Sequence, residues 1–274
     1  MEKVNTIDID KTFKDKNPKL YKRLPRFVLS YLKRIVHQND VNEILTTYGY
    51  EYSGLEFNRK VLEHLNITYD VENAENFPPV EGRYIFASNH PLGGLDGIVL
   101  IDTIGEKYGN VKFVVNDLLM YLTPLEDVFA PVNKHGRQSA EYAKIIDDLY
   151  SSDKQVLYFP AGLCSRKMKG KICDTEWKKS FVTKAIQYKR NVVPIFFEGR
   201  NSNFFYNLAN IRKKLGIKAN IEMLYLSDEL FKKKNAHFKV KIGEMIPYEK
   251  LKEMGGKRSI EYVRNKVYAM ESKK

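Results

Sequence analysis

Residues 84–97, Tyr-Ile-Phe-Ala-Ser-Asn-His-Pro-Leu-Gly-Gly-Leu-Asp-Gly, place a strand, a turn and the start of a helix in one short stretch. The apolar run from Tyr84 to Ser88 predicts a buried strand. Pro91, Gly93 and Gly94 interrupt it, and helical periodicity runs from Leu95 to Lys107. The same alternation continues downstream. Apolar runs at 112–115, 156–159 and 192–197 are separated by helix-like stretches at 139–150 and 177–188. This order predicts an α/β fold, a mostly parallel central sheet flanked by helices. Two later runs, 221–226 and 238–242, read as further strands, antiparallel and at the edges, and 258–274 as a charged surface helix.

Upstream of the quoted stretch the pattern is helical. From Leu24 the apolar residues fall at Phe27, Val28, Tyr31, Leu32, Ile35 and Val36, with Lys22, Arg23, Arg26, Lys33 and Arg34 around them. Such a helix either packs on the protein's own core or lies in a headgroup layer with Phe27, Tyr31 and Leu32 toward the acyl chains. A second helical stretch spans 58–65. Residues 70–83, with two prolines and a glycine, read as a linker. The expected division is an N-terminal helical, membrane-associating region (1–75) and an α/β domain (76–274).

Composition narrows the partners. The 274 residues hold 43% hydrophobic and 12% aromatic side chains, enough for a large core. Lys and Arg number 46 against 34 Asp and Glu, a formal charge of +12 that suits an anionic membrane face, an acidic protein or nucleic acid. Cys164 and Cys173, nine residues apart, match no common zinc spacing and read as reduced thiols. No secretory signal pattern opens the chain and no window approaches 18 apolar residues, so the expected location is cytoplasmic, peripheral on the inner face of the membrane.

The chemistry gathers at the ends of predicted strands, where open α/β sheets bind ligands. His90 follows one strand directly. A histidine near neutral pH takes a proton well when a carboxylate fixes its tautomer, and Asp96 is that carboxylate if the Pro91–Gly94 turn brings the two together. Gly93 and Gly94 permit close backbone approach. After the 156–159 run comes Phe159-Pro160-Ala161-Gly162-Leu163-Cys164-Ser165-Arg166, whose Arg166 offers a planar fork for a carboxylate or phosphate.

These motifs resemble the lysophospholipid and glycerol-phosphate acyltransferase superfamily. Its first motif is Asn-His, four residues and Asp; this chain has five between His90 and Asp96. The longer Asn-His-Pro-x-Gly-Gly-x-Asp-Gly form looks like the bacterial branch of haemolysin-like and ornithine-lipid acyltransferases. Residues 159–166 are similar to the family's Phe-Pro-Glu-Gly-Thr-Arg-Ser block, with Ala161 for the Glu and Cys164 for the first Arg. Ala130-Pro131-Val132-Asn133-Lys134-His135-Gly136-Arg137 stands where the family has Phe-Ile-x-Arg, and Val193-Pro194-Ile195 is similar to its Val-Pro-Ile block. The resemblance implies catalysis by His90 and Asp96. It implies substrate contacts from Asn89, Gly93, Gly94, Lys134, Arg137, Pro160, Gly162, Ser165 and Arg166. The donor it implies is an acyl thioester of acyl carrier protein or CoA, used as a co-substrate with no cofactor and no metal. Ala161 and Cys164 turn the expected acceptor from glycerol phosphate toward a lysolipid or acylated amino acid.

Four other readings compete. A serine hydrolase lacks its Gly-x-Ser-x-Gly elbow, and the five scattered histidines form no zinc pattern. A basic nucleic-acid-binding protein accounts for the charge and the eighteen tyrosines, yet no such motif occurs and no nucleic acid is expected as a partner. An acyltransferase-like protein without activity accounts for Ala161 and Cys164.

Overall fold

A computed structural model describes residues 4–132 and 140–272. Its strands are β1 (Thr68–Glu72), β2 (Tyr84–Ser88), β3 (Val111–Asn116), β4 (Phe129–Val132), β5 (Gln155–Tyr158), β6 (Arg166–Met168), β7 (Lys171–Cys173), β8 (Asn191–Glu198) and β9 (His237–Ile242). The helices are α1 (Ile9–Lys16), α2 (Pro18–Arg23), α3 (Arg26–Ile35), α4 (Gln38–Tyr48), α5 (Gly54–Leu65), α6 (Leu95–Tyr108), α7 (Ala140–Ser151), α8 (Ser180–Gln187), α9 (Asn203–Lys214), α10 (Leu226–Phe231), α11 (Tyr248–Met254) and α12 (Gly256–Ala269).

Seven strands form one sheet in the order β1-β9-β8-β2-β5-β3-β4. From β8 to β4 all neighbours are parallel; β9 runs antiparallel to β8, and β1 lies parallel on its far side. The sheet is therefore mostly parallel, as the βα alternation predicts. Central β2 sits between β8 and β5, with Phe86 level with both Val193 and Leu157. Its side chains alternate between two layers. Phe86 joins Leu95, Val99 and Ile104 of α6 and Phe57 and Leu62 of α5 on one face. Ile85 and Ala87 join Phe181 and Ala185 of α8 and Val263 and Val267 of α12 on the other. With both faces covered, β2 is buried throughout and reads as an unbroken apolar run.

Three expectations change. Residues 221–226 are not a strand: Ile221–Tyr225 form a 3-10 turn that leads into α10. The linker reading of 70–83 fails at its start, where Asp70–Glu72 belong to β1. β9 is antiparallel but not an edge, since β1 covers it. Helix α3 divides its apolar residues, burying Leu29 and Ile35 while leaving Phe27 74% and Tyr31 40% exposed. Among the described residues no helix is long and apolar enough to cross a membrane.

Candidate active site

Three adjacent strands fix His90. Beyond the end of β2, the Asn89 amide continues the pairing with β8: Nδ2 donates to the Phe197 carbonyl at 2.9 Å, and the Phe197 N–H donates to Oδ1 at 2.7 Å. Asn89 is thus a brace between strands, with both ends of its amide engaged by the Phe197 backbone. His90 follows it and stacks on Phe159, just after β5, at 4.0 Å between ring centroids. Its backbone is held on both sides, the N–H donating to Asp174 Oδ1 at 3.2 Å and the carbonyl accepting from the Ser165 N–H at 2.7 Å.

The turn that follows returns the chain to the imidazole. Gly93 has φ +82, and a Cβ there would lie 2.8 Å from Leu226 Cδ2 and 3.0 Å from Cys164 Cβ, so both conformation and space call for glycine. Asp96 then falls in the first turn of α6, where a carboxylate meets unpaired N–H groups. Its Oδ2 accepts from His90 Nδ1 at 2.9 Å, Leu92 N at 2.9 Å and Gly93 N at 3.3 Å; its Oδ1 accepts from Gly94 N and Gly97 N, both at 3.0 Å. The five-residue spacing is absorbed by this turn, and the two side chains meet.

Burial pushes the Asp96 carboxyl up, but the attraction and hydrogen bond of His90 and the N–H groups of Leu92 and Gly93 outweigh it. They hold the group below the ordinary carboxylate range. An ionised carboxylate only accepts, so His90 carries its proton on Nδ1 and presents a basic Nε2.

Asp174, which the sequence reading passes over, supports this arrangement from beneath. It is 1% exposed and accepts from Ser165 Oγ at 2.6 Å and Trp177 Nε1 at 2.9 Å besides the His90 backbone. Burial raises its carboxyl against those hydrogen bonds. No local motif marks it, because its partners come together only in the fold. Ser165, expected at the substrate, is 2% exposed and committed to Asp174.

Arg166 also faces inward. It is 3% exposed, and its guanidinium donates to the Cys164 carbonyl at 2.7 Å and to Glu222 Oε1 at 3.1 Å. Glu222, fully buried, accepts from Arg212 as well, at 2.7 and 3.2 Å. The fork assigned from sequence to an acceptor instead closes a buried Arg166–Glu222–Arg212 cluster. Ala161 is buried in the core against α8, and burial pushes the Cys164 thiol up to about 11. Gly162 adopts φ +63 with its N–H on the Phe159 carbonyl, and the Pro160 carbonyl accepts from Lys178 N. The Gly93, Gly94 and Gly162 N–H groups are thus directed within the protein. Lys134 and Arg137 lie outside the described residues. Among the described residues no three His, Cys, Asp or Glu side chains gather as a metal site requires.

Known proteins are similar to this chain over most of its length. A lyso-glycine lipid O-acyltransferase of Bacteroides thetaiotaomicron is 48% identical over 266 residues, 96% of this chain and 97% of that one. A protein of the same name from Phocaeicola vulgatus is 50% identical over 89% of this chain and 87% of its own. The crystal structure of the 1-acyl-sn-glycerophosphate (LPA) acyltransferase PlsC from Thermotoga maritima aligns over 89% of this chain and 97% of its own, with a TM-score of 0.48 and 15% identity. The family model described as acyltransferase matches residues 11–273, and with the His-Asp pair set at the strand end, the chain belongs to that acyltransferase family.

Proposed function

We propose that this protein transfers a fatty acyl group from an acyl thioester, carried by acyl carrier protein or CoA, to the hydroxyl of a lysolipid, and that the lysolipid is a lyso-glycine lipid. The His90–Asp96 pair carries the reading, in a chain about half identical to two proteins named for that reaction. The acceptor hydroxyl gives its proton to His90 Nε2 as its oxygen attacks the thioester carbonyl. The tetrahedral intermediate then collapses, the C–S bond breaks, and the imidazolium returns the proton to the departing thiolate. Asp96 keeps the ring oriented and stabilises its cationic form. A general base of this kind contributes on the order of 10²–10⁴ in rate.

Charge and exposure support an acceptor held in a membrane. Phe27 and Tyr31 on α3 face outward among Arg23, Arg26 and Arg34, a combination suited to the anionic inner face of the cytoplasmic membrane. The intact pair argues against a catalytically silent protein, which Ala161 and Cys164 alone would suggest.

The test incubates purified protein with lyso-glycine lipid or lysophosphatidic acid and either acyl carrier protein or CoA thioesters, reading the products by mass spectrometry. Esterified glycine lipid is the expected product. Esterified lysophosphatidic acid alone would overturn the acceptor, and no ester from either donor would overturn the reaction.

A further inference from the structure

Helix α9 carries two apolar stripes, and only one is used inside the protein. Phe205, Ala209 and Arg212 are buried. Beside them, at helical spacing, Phe204 is 49% exposed, Leu208 half-buried, Ile211 54% and Leu215 68% exposed. Ile217 and Leu224, in the turn that follows, are exposed too. The charge around this stripe is of one sign: residues 199–221 hold five basic side chains and no acidic one, with Arg200, Lys213, Lys214 and Lys218 exposed.

A second acid-free segment, 16–39, holds seven basic residues, so the two together match the chain's entire formal excess of +12. Separated by well over a hundred residues, they adjoin in the fold. Tyr225 bonds Tyr31 of α3 through their hydroxyls at 2.6 Å and packs its ring edge against Phe204 of α9 at 5.0 Å. The next residue, Leu226, is the side chain that a Cβ at Gly93 would strike, and Leu230 lies over Gly94. The exposed apolar stripe thus adjoins half-buried Leu226 and Leu230, which cover the His90 turn.

We infer that α9 and the turn after it, residues 203–224, form a surface that seats the protein on an anionic lipid bilayer, with Phe27 and Tyr31 of α3 as its second edge. The inference rests on the proposed reading of the acceptor as a membrane lipid, which would reach His90 past Leu226 and Leu230. Its chemistry favours lipid over nucleic acid: beside Phe204, the exposed residues Ile211, Leu215, Ile217 and Leu224 are aliphatic and offer bases no ring to stack on. An apolar stripe bordered by lysine and arginine matches the headgroup and acyl boundary of an anionic leaflet.

The experiment floats the full chain with vesicles of phosphatidylcholine alone or mixed with phosphatidylglycerol. It compares wild type with Ile211→Ser/Leu215→Ser, with Lys213→Glu/Lys214→Glu, and with Val80→Ser, which removes an exposed apolar side chain elsewhere. Binding of wild type to the anionic vesicles, weakened about tenfold or more in each double variant and unchanged in Val80→Ser, is expected. Circular dichroism melts check that the variants fold. Because flotation needs no acyl transfer, it succeeds or fails independently of the proposed reaction. With lyso-glycine lipid as acceptor, the double variants should lose transfer from vesicles and keep it in detergent micelles. Equal binding by Ile211→Ser/Leu215→Ser and wild type would overturn the inference. So would no wild-type binding, indifference to phosphatidylglycerol, a dimer that the same substitutions dissolve, or displacement from vesicles by an oligonucleotide.

Discussion

Replacing Asp96 by Asn removes one charge and leaves the volume almost unchanged, so its consequences can be worked from the hydrogen bonds alone. In the folded protein five donors converge on the carboxylate, three on Oδ2 and two on Oδ1. An amide has one accepting oxygen. Whichever way it is turned, its NH₂ faces at least two backbone N–H groups that have no other partner there. With about 1–3 kcal/mol for each buried donor left unpaired, a loss of roughly 2–6 kcal/mol of stability is expected. An amide nitrogen toward His90 also reverses the tautomer, placing the ring proton on Nε2 and removing the base from the side facing the acceptor. Loss of the same interaction in a serine protease triad lowers turnover about 10⁴-fold, and a fall of 10³–10⁴ is expected here.

The sign of the pH dependence follows from the lowered Asp96 carboxyl. A group held below its unfolded value contributes stability that is full above that value, about 3.9, and is lost as pH falls through the folded one. Asp174, shifted the opposite way, is common to both proteins and cancels in their difference. The stability gap between wild type and Asp96→Asn should therefore narrow as pH falls below about 4. Urea unfolding across pH measures the gap, and single-turnover transfer measures the rate. Wild-type turnover by Asp96→Asn, or a gap that does not narrow below about pH 4, would refute the reasoning.

Glu222→Ala should destabilise the fold by about 3–5 kcal/mol, because it leaves the Arg166 and Arg212 charges buried without their carboxylate; denaturant titration reads the loss. Cys164, buried with its thiol raised to about 11, should resist maleimide at pH 8 while Cys173 reacts, as peptide mass mapping would show. Equal labelling of the two would contradict the burial. Gly93→Ala should cost about 1–3 kcal/mol and lower turnover, since its strain falls on the turn that joins His90 to Asp96; melting and rate assays together test it.

The parts of this fold that can be read from sequence are those whose burial is uniform. β2, β5 and β8 are covered on both faces, so their sequences are unbroken apolar runs. β1 is half-exposed and carries Asp70 and Glu72, and β4 is four residues long with Pro131 inside it; neither has a run to read. Residues 221–226 are apolar for another reason. Met223 and Leu226 pack beside Cys164 and Phe205, a tertiary demand that a short run does not distinguish from a strand. At the site, the His90–Asp96 pair is legible because its glycine turn is local. Arg166 and Glu222 are 56 residues apart, and the local sequence around the arginine gives no sign that a distant glutamate has drawn it inside.

The central claim is that His90 Nε2 takes the acceptor proton, and transfer by His90→Ala tests it most directly. The ring is stacked on Phe159 and only its edge reaches solvent, so circular dichroism and a melting curve must first show the variant folded. With saturating acyl thioester and lyso-glycine lipid, ester formation slowed about 10²–10⁴-fold is expected in the folded variant. Ester formation at the wild-type rate would contradict it.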